Sequence, residues 1–136
     1  MSDVNLPADP DTRADFANFV LEENCDHIPI VAEAAMTYRD MIVMEPWCGI
    51  ADHTLAIGAA GTLHVKRGIL VRSSRIETGT VFALFGQEVW FNAVTGEYID
   101  TEAEDLFLVG YVREAVNADG VFGFEKRRYV IEGEAT

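Results

Sequence analysis

Basic residues are scarce in this sequence. Its 136 residues contain ten Lys and Arg against 23 Asp and Glu, a formal net charge of −13. Nucleic-acid binding depends on Lys and Arg neutralising phosphates, so this balance excludes a DNA- or RNA-binding role. It speaks against an acidic membrane surface for the same reason. Cysteine is also sparse. Cys25 and Cys48 form no CxxC motif and have no His or Cys at zinc-ligand spacing, so they read as reduced, mostly buried thiols. Serine occurs only at Ser2, Ser73 and Ser74, with no GxSxG elbow around any of them. No apolar run approaches the roughly 18 residues that suggest a membrane span. The opening MSDVNLPADPD lacks both the basic and the apolar region of a signal peptide. Synthesis and folding in a cytosol are therefore expected, with no membrane partner.

What the chain does have is 49% hydrophobic residues, enough for one domain with its own core and no need of a metal or disulfide staple. Residues 1–26 stand apart. They carry Asp3, Asp9, Asp11, Asp15, Glu22, Glu23 and Asp26 against a single Arg13. Asp9 is placed to cap a helix and Pro10 to occupy its first position. Phe16, Phe19 and Val20 follow at helical spacing, which predicts a short amphipathic helix over residues 10–23. Such a helix is marginal alone and must dock, either on its own domain or on a neighbour.

Residues 27–136 read as a β domain. Short β-prone runs fall at 28–31 and 41–44. Residues 62–71 alternate until Gly68, where a β-bulge is expected. Further strands are expected at 80–85, 88–92, 98–99, 106–112 and 121–130, with turns at 94–97 and 117–120. Strands this short, with a turn signal about every ten residues, predict an all-β fold, a small antiparallel β-barrel or sandwich. The expected core contains Leu63, Val65, Phe82, Leu84, Leu106, Leu108, Phe122 and Phe124.

Catalytic chemistry is hard to find. His27, His53 and His64 sit in no HxH, HExxH or comparable spacing, and are expected at the surface or on strand edges rather than on a metal. Cys25 and His27, two apart, would share a strand face but lack a third, orienting group. Glu102, Glu104 and Asp105 read as a solvated face. The glycines are spread one per turn, as a β protein needs where φ is positive. Lys126, Arg127 and Arg128 form the one basic cluster, suited either to an acidic partner patch or to guarding an edge strand.

The succession GTLHVKRGILVRS, VWFNAVTGEYID, LFLVGYVREA and VFGFEKRRYV resembles the cement, decoration or head-fibre-like proteins that lie beside the major capsid proteins of tailed phages. The likeness runs over roughly residues 28–130 and is one of strands and turns. It implies an all-β structural protein, without catalysis or cofactor, on the capsid exterior of a virion made in the host cytoplasm. It also implies a multimer, expected as a homotrimer, bound to the major capsid protein. Phe16, Phe19 and Val20 on the acidic arm are the first contact candidates, followed by Arg39, Trp47, Lys126, Arg127 and Arg128. Two other readings remain: a different virion part, such as a head-fibre base or head-completion protein, and a small β-barrel enzyme or metal protein using the histidines and carboxylates.

Overall fold

The structure, a computed structural model, describes residues 26–134. The expected helix over residues 10–23, and with it Phe16, Phe19 and Val20, lies outside the described residues. Within them the protein is all-β, with no helix. Nine strands follow in chain order: β1 (His27–Val31), β2 (Met41–Met44), β3 (Trp47–Ala51), β4 (Ala60–His64), β5 (Leu70–Ser73), β6 (Glu88–Asn92), β7 (Glu97–Ile99), β8 (Phe107–Glu114) and β9 (Phe122–Glu132). They form one sheet in the order β1-β4-β3-β9-β8-β6-β7, with β2 attached to β3 and β5 to β9. Every strand-to-strand ladder is antiparallel.

The expected barrel does not close. β1 and β7 end the path and are not paired with each other. β1 carries Pro29 opposite Thr62, and proline is one of the residues by which natural sheets blunt an exposed edge. Joining the two halves falls to β9. Its first residues pair with β5 on one side and β8 on the other, Ile131 and Glu132 pair again with β8, and Tyr129 pairs with Trp47 of β3.

The turns follow from local chemistry. Between β6 and β7 the Asn92 side chain accepts hydrogen bonds from the amides of Val94 and Thr95, and Gly96 supplies a φ of 75°. Between β8 and β9 Asn117 does the same for Asp119 and Val121. Residues 62–71, read as one bulged strand, are instead two. Gly68, with φ 92°, turns the chain from β4 toward β9, donating to the Lys126 carbonyl at 2.8 Å, while the Lys126 amide donates to Ile69 at 3.0 Å.

The main core gathers Phe82, Phe91, Tyr98, Val109, Val112, Phe122 and Phe124 with the buried Cys48. Phe122 stacks on Phe82 at 4.2 Å and on Phe124 at 5.6 Å, and Tyr98 meets it edge-on at 5.6 Å. Trp90, Ile99, Leu106 and Leu108 pack separately. Register shifts in the β8–β9 ladder, between Leu108 and Gly110 and between Val112 and Glu114, break strict alternation. They explain why Val109 and Val112 both reach the main core although they are three apart.

Seven of the eight expected core residues are buried; Leu84 is 70% exposed. The segment 80–85, expected as a strand, is a loop. Phe82 alone of its large side chains points inward. The loop's backbone groups bond to a side chain instead of a neighbouring strand: Gln87 accepts from the Ala83 and Leu84 amides and donates to the Val81 carbonyl at 2.9 Å.

Candidate functional site

Three surface or near-surface features carry distinctive chemistry. The first is the loop just described. Val81, Leu84 and Phe85 are 58%, 70% and 79% exposed. The Gly86 amide donates to the Val112 carbonyl at 2.8 Å and the Val116 amide to that of Phe82 at 2.9 Å. The apolar tip is thus held in place from both sides. A pinned loop presenting Leu and Phe to solvent has the character of a protein-contact surface, where rigid apolar anchors dominate binding. Sequence reasoning missed it because V-F-A-L-F has the composition of a buried strand. The available signal was Gly on both sides with Gln87 immediately after.

The second is a groove lined by Lys66, Arg67, Lys126, Arg127 and Arg128, by Tyr111 and Tyr129, and by the acidic Asp26 and Glu125. Arg127 donates to the Tyr111 hydroxyl at 2.9 Å and to the Tyr129 carbonyl at 3.0 Å. The Arg128 guanidinium lies 5.3 Å from the centre of the Trp47 ring and 5.9 Å from that of Tyr129. Trp47 and Tyr129 themselves meet at 5.2 Å. The structure therefore brings Trp47 to Arg128, although the two are distant in sequence, while Arg127 is held beside them by Tyr111 and Tyr129. Arg39 sits elsewhere, in a turn at φ 75°, with its guanidinium over the Tyr38 ring.

Lys126 does not face this groove's solvent. It is 1% exposed, and its ammonium donates to the carbonyls of Cys48 at 2.6 Å and Arg127 at 2.7 Å. Alternation along β9 turns it inward while its neighbours Glu125 and Arg127 turn toward solvent, so the basic run is not a continuous outward patch. Burial pushes its pKa down from 10.5 to about 8, opposed by the Cys48 thiol. Burial also pushes that thiol up from 9.0 to about 12 and raises the Tyr98 hydroxyl from 10.0.

These shifts predict an alkaline stability maximum. Between pH 8 and 10.5 the unfolded chain holds the Lys126 proton and the folded protein releases it, so stability rises with pH. Above pH 9 the unfolded thiol ionises while folded Cys48 keeps its proton to about 12, which lowers stability, and Tyr98 acts in the same direction. The urea midpoint is expected to peak near about pH 9, above its value at neutral pH. Lys126→Met is expected to remove the rise. A midpoint that falls steadily from neutral pH upward would contradict the assignment.

The third feature joins His27, Asp52 and His64. His27 and His64 are direct cross-strand partners on β1 and β4, and their rings stack at 4.3 Å. His27 Nδ1 and Asp52 Oδ2 are 2.7 Å apart, and the Thr62 hydroxyl donates to the same oxygen at 2.8 Å. Asp52 is held below the usual carboxylate range by the hydrogen bonds from His27 and Thr62, although partial burial opposes them. His64 is shifted down, by burial first and by the neighbouring His27 second. His53, the other histidine, is exposed. Spacing of 37 residues between partners leaves no motif; only the β1–β4 register brings them together.

A small open sheet that holds an apolar loop out to solvent has the build of a structural module acting through protein contacts. A sequence model of the phage cement protein family matches residues 22–126, and the chain belongs to that family. It is thereby a structural, capsid-associated protein of a bacteriophage virion. No curated protein and no solved structure matches it.

Proposed function

We propose that the protein binds the outer surface of the phage capsid, on the major capsid protein, and stabilises the assembled shell as a homotrimer. Membership of the cement family carries this reading. A protein that binds only the assembled shell shifts the assembly equilibrium by mass action. Its net charge of −13 suits the exterior, away from packaged DNA. Neither catalysis nor a cofactor is needed for such a role.

The contact surface we favour is the Val81–Leu84–Phe85 loop, because its exposure is built in by Gln87 and Gly86 rather than left by a frayed end. The groove at Trp47, Arg127 and Arg128 is suited to an acidic patch on the capsid, with Arg39 as a separate rim contact. The acidic arm with Phe16, Phe19 and Val20 is proposed to strengthen attachment or to join subunits.

Purified protein added to undecorated heads is expected to co-sediment with them and to raise their thermal rupture temperature. Deleting residues 1–24 is expected to leave the β domain folded and to weaken binding by about tenfold or more, roughly 1.4 kcal/mol. Full-length protein that stays in the supernatant at saturating concentration would reject the capsid-binding reading. Unchanged affinity after the deletion would move all of the attachment to the β domain.

A further inference from the structure

We propose that His27, Asp52 and His64 form a binding site for a divalent transition-metal ion of the zinc class, which clamps the edge strand β1 to the rest of the sheet. The site is built by sheet register. His64 stands opposite His27 on one side and opposite Ile50 of β3 on the other. Asp52 follows β3 directly, and its carboxylate accepts the Thr62 hydroxyl. Side chains two apart on a strand share a face, so His64 and Thr62 turn to the same side, and His27 and Asp52 meet them there.

One ligand atom from each of the three residues lies within 4.8 Å of the other two. A zinc ion with bonds of about 2.0–2.1 Å spaces tetrahedral ligand atoms by about 3.4 Å. The His27 and His64 rings are stacked 17° from parallel, so turning them about their side-chain bonds to converge in plane brings the three onto one ion, which would take the place of the proton now held between His27 and Asp52. Two imidazoles and one carboxylate suit zinc or its transition-metal neighbours, whereas Mg²⁺ and Ca²⁺ favour all-oxygen sets. Three protein ligands leave a fourth position for water.

Two surrounding features favour a cation. The Thr62 hydroxyl donates to the same Asp52 oxygen that faces His27, the kind of outer contact that orients metal ligands. Asp26 adds negative charge close enough to act on His64. The residues also sit where a metal changes mechanics. Among the described residues β1 is paired only with β4, and an ion shared by His27, His64 and Asp52 adds a second attachment at its first residue, directly after the acidic N-terminal region. This inference is independent of which capsid surface is contacted.

The test uses tag-free, full-length protein, stripped with chelator and titrated calorimetrically with zinc chloride. One zinc per chain is expected, with a rise in thermal midpoint that chelator reverses. Cobalt in its place is expected to give visible ligand-field bands. His27→Ala and Asp52→Asn, each still folded by circular dichroism, are expected to abolish saturable binding. Thr62→Val is expected to weaken it by about tenfold while keeping the stoichiometry. No saturable binding to the wild type, or binding that survives both His27→Ala and Asp52→Asn, would overturn the site. Equal competition by magnesium would overturn the zinc-class assignment.

Discussion

Phe122→Ala is expected to destabilise the protein by about 3–5 kcal/mol, the range found when a buried aromatic is truncated to a methyl group. The position justifies the upper part of that range. Phe122 is 1% exposed and touches three rings, from Phe82, Tyr98 and Phe124. Those rings are anchored on different parts of the fold: Phe82 on the apolar loop, Tyr98 on β7 and Phe124 on β9 itself. The resulting cavity cannot collapse without moving all of them. A domain of this size has about 5–15 kcal/mol of total stability, so the loss is a large share of it. Urea denaturation measures it directly through the midpoint. A change below about 1 kcal/mol would mean that this aromatic cluster is more loosely packed than its geometry indicates.

Leu84→Asp combined with Phe85→Asp is expected to weaken capsid binding by about 100-fold, roughly 2.7 kcal/mol, with little effect on the fold. Each side chain is worth about 1.5–3 kcal/mol when moved from solvent into an apolar contact, and association costs reduce the sum. Both residues are more than two-thirds exposed in the isolated protein. Surface changes of this kind usually alter stability by no more than about 0.5 kcal/mol. The two readouts therefore separate: co-sedimentation falls while the urea midpoint holds. Loss of both together would show that the loop is a structural cover. Retained binding would shift attention to the groove at Trp47, Arg127 and Arg128.

The all-β class was legible in the sequence because turn chemistry is local. The Asn117–Gly120 turn, with Gly120 at φ 77°, and the runs at β2, β6, β8 and β9 stand where composition and punctuation place them. Strand β3 was not legible. Its WCGIA has a glycine at its centre, which ordinarily weakens a strand. Gly49 is required here because a Cβ would collide with the Leu63 side chain, a contact made across the sheet and invisible from spacing. The loop at 80–85 failed in the opposite way. Its composition is that of a strand, but the Gln87 amide takes up the backbone groups that a ladder would have used. The His27–His64 pair and the meeting of Trp47 with Arg128 were equally hidden, since both depend on register between strands far apart in the chain.

Strand β9 has a consequence for the order of events during synthesis. It is the last of the nine strands to leave the ribosome, yet β3, β5 and β8 are all registered on it. Until it emerges, β5 has no ladder partner, and the main core lacks Phe122 and Phe124. The preceding 121 residues can form the ladders of β1, β4, β3 and β2 and those of β8, β6 and β7, but the two groups have no strand to join them until β9 arrives. Contacts between such distant segments must also overcome loop-closure entropy before they are rewarded, which slows folding. The nascent chain is thus held in an immature form with its strand edges open, and the rigid platform for the Leu84–Phe85 loop appears only with the final strand. Under the role proposed for that loop, a premature encounter with capsid subunits would meet a chain that cannot yet present it.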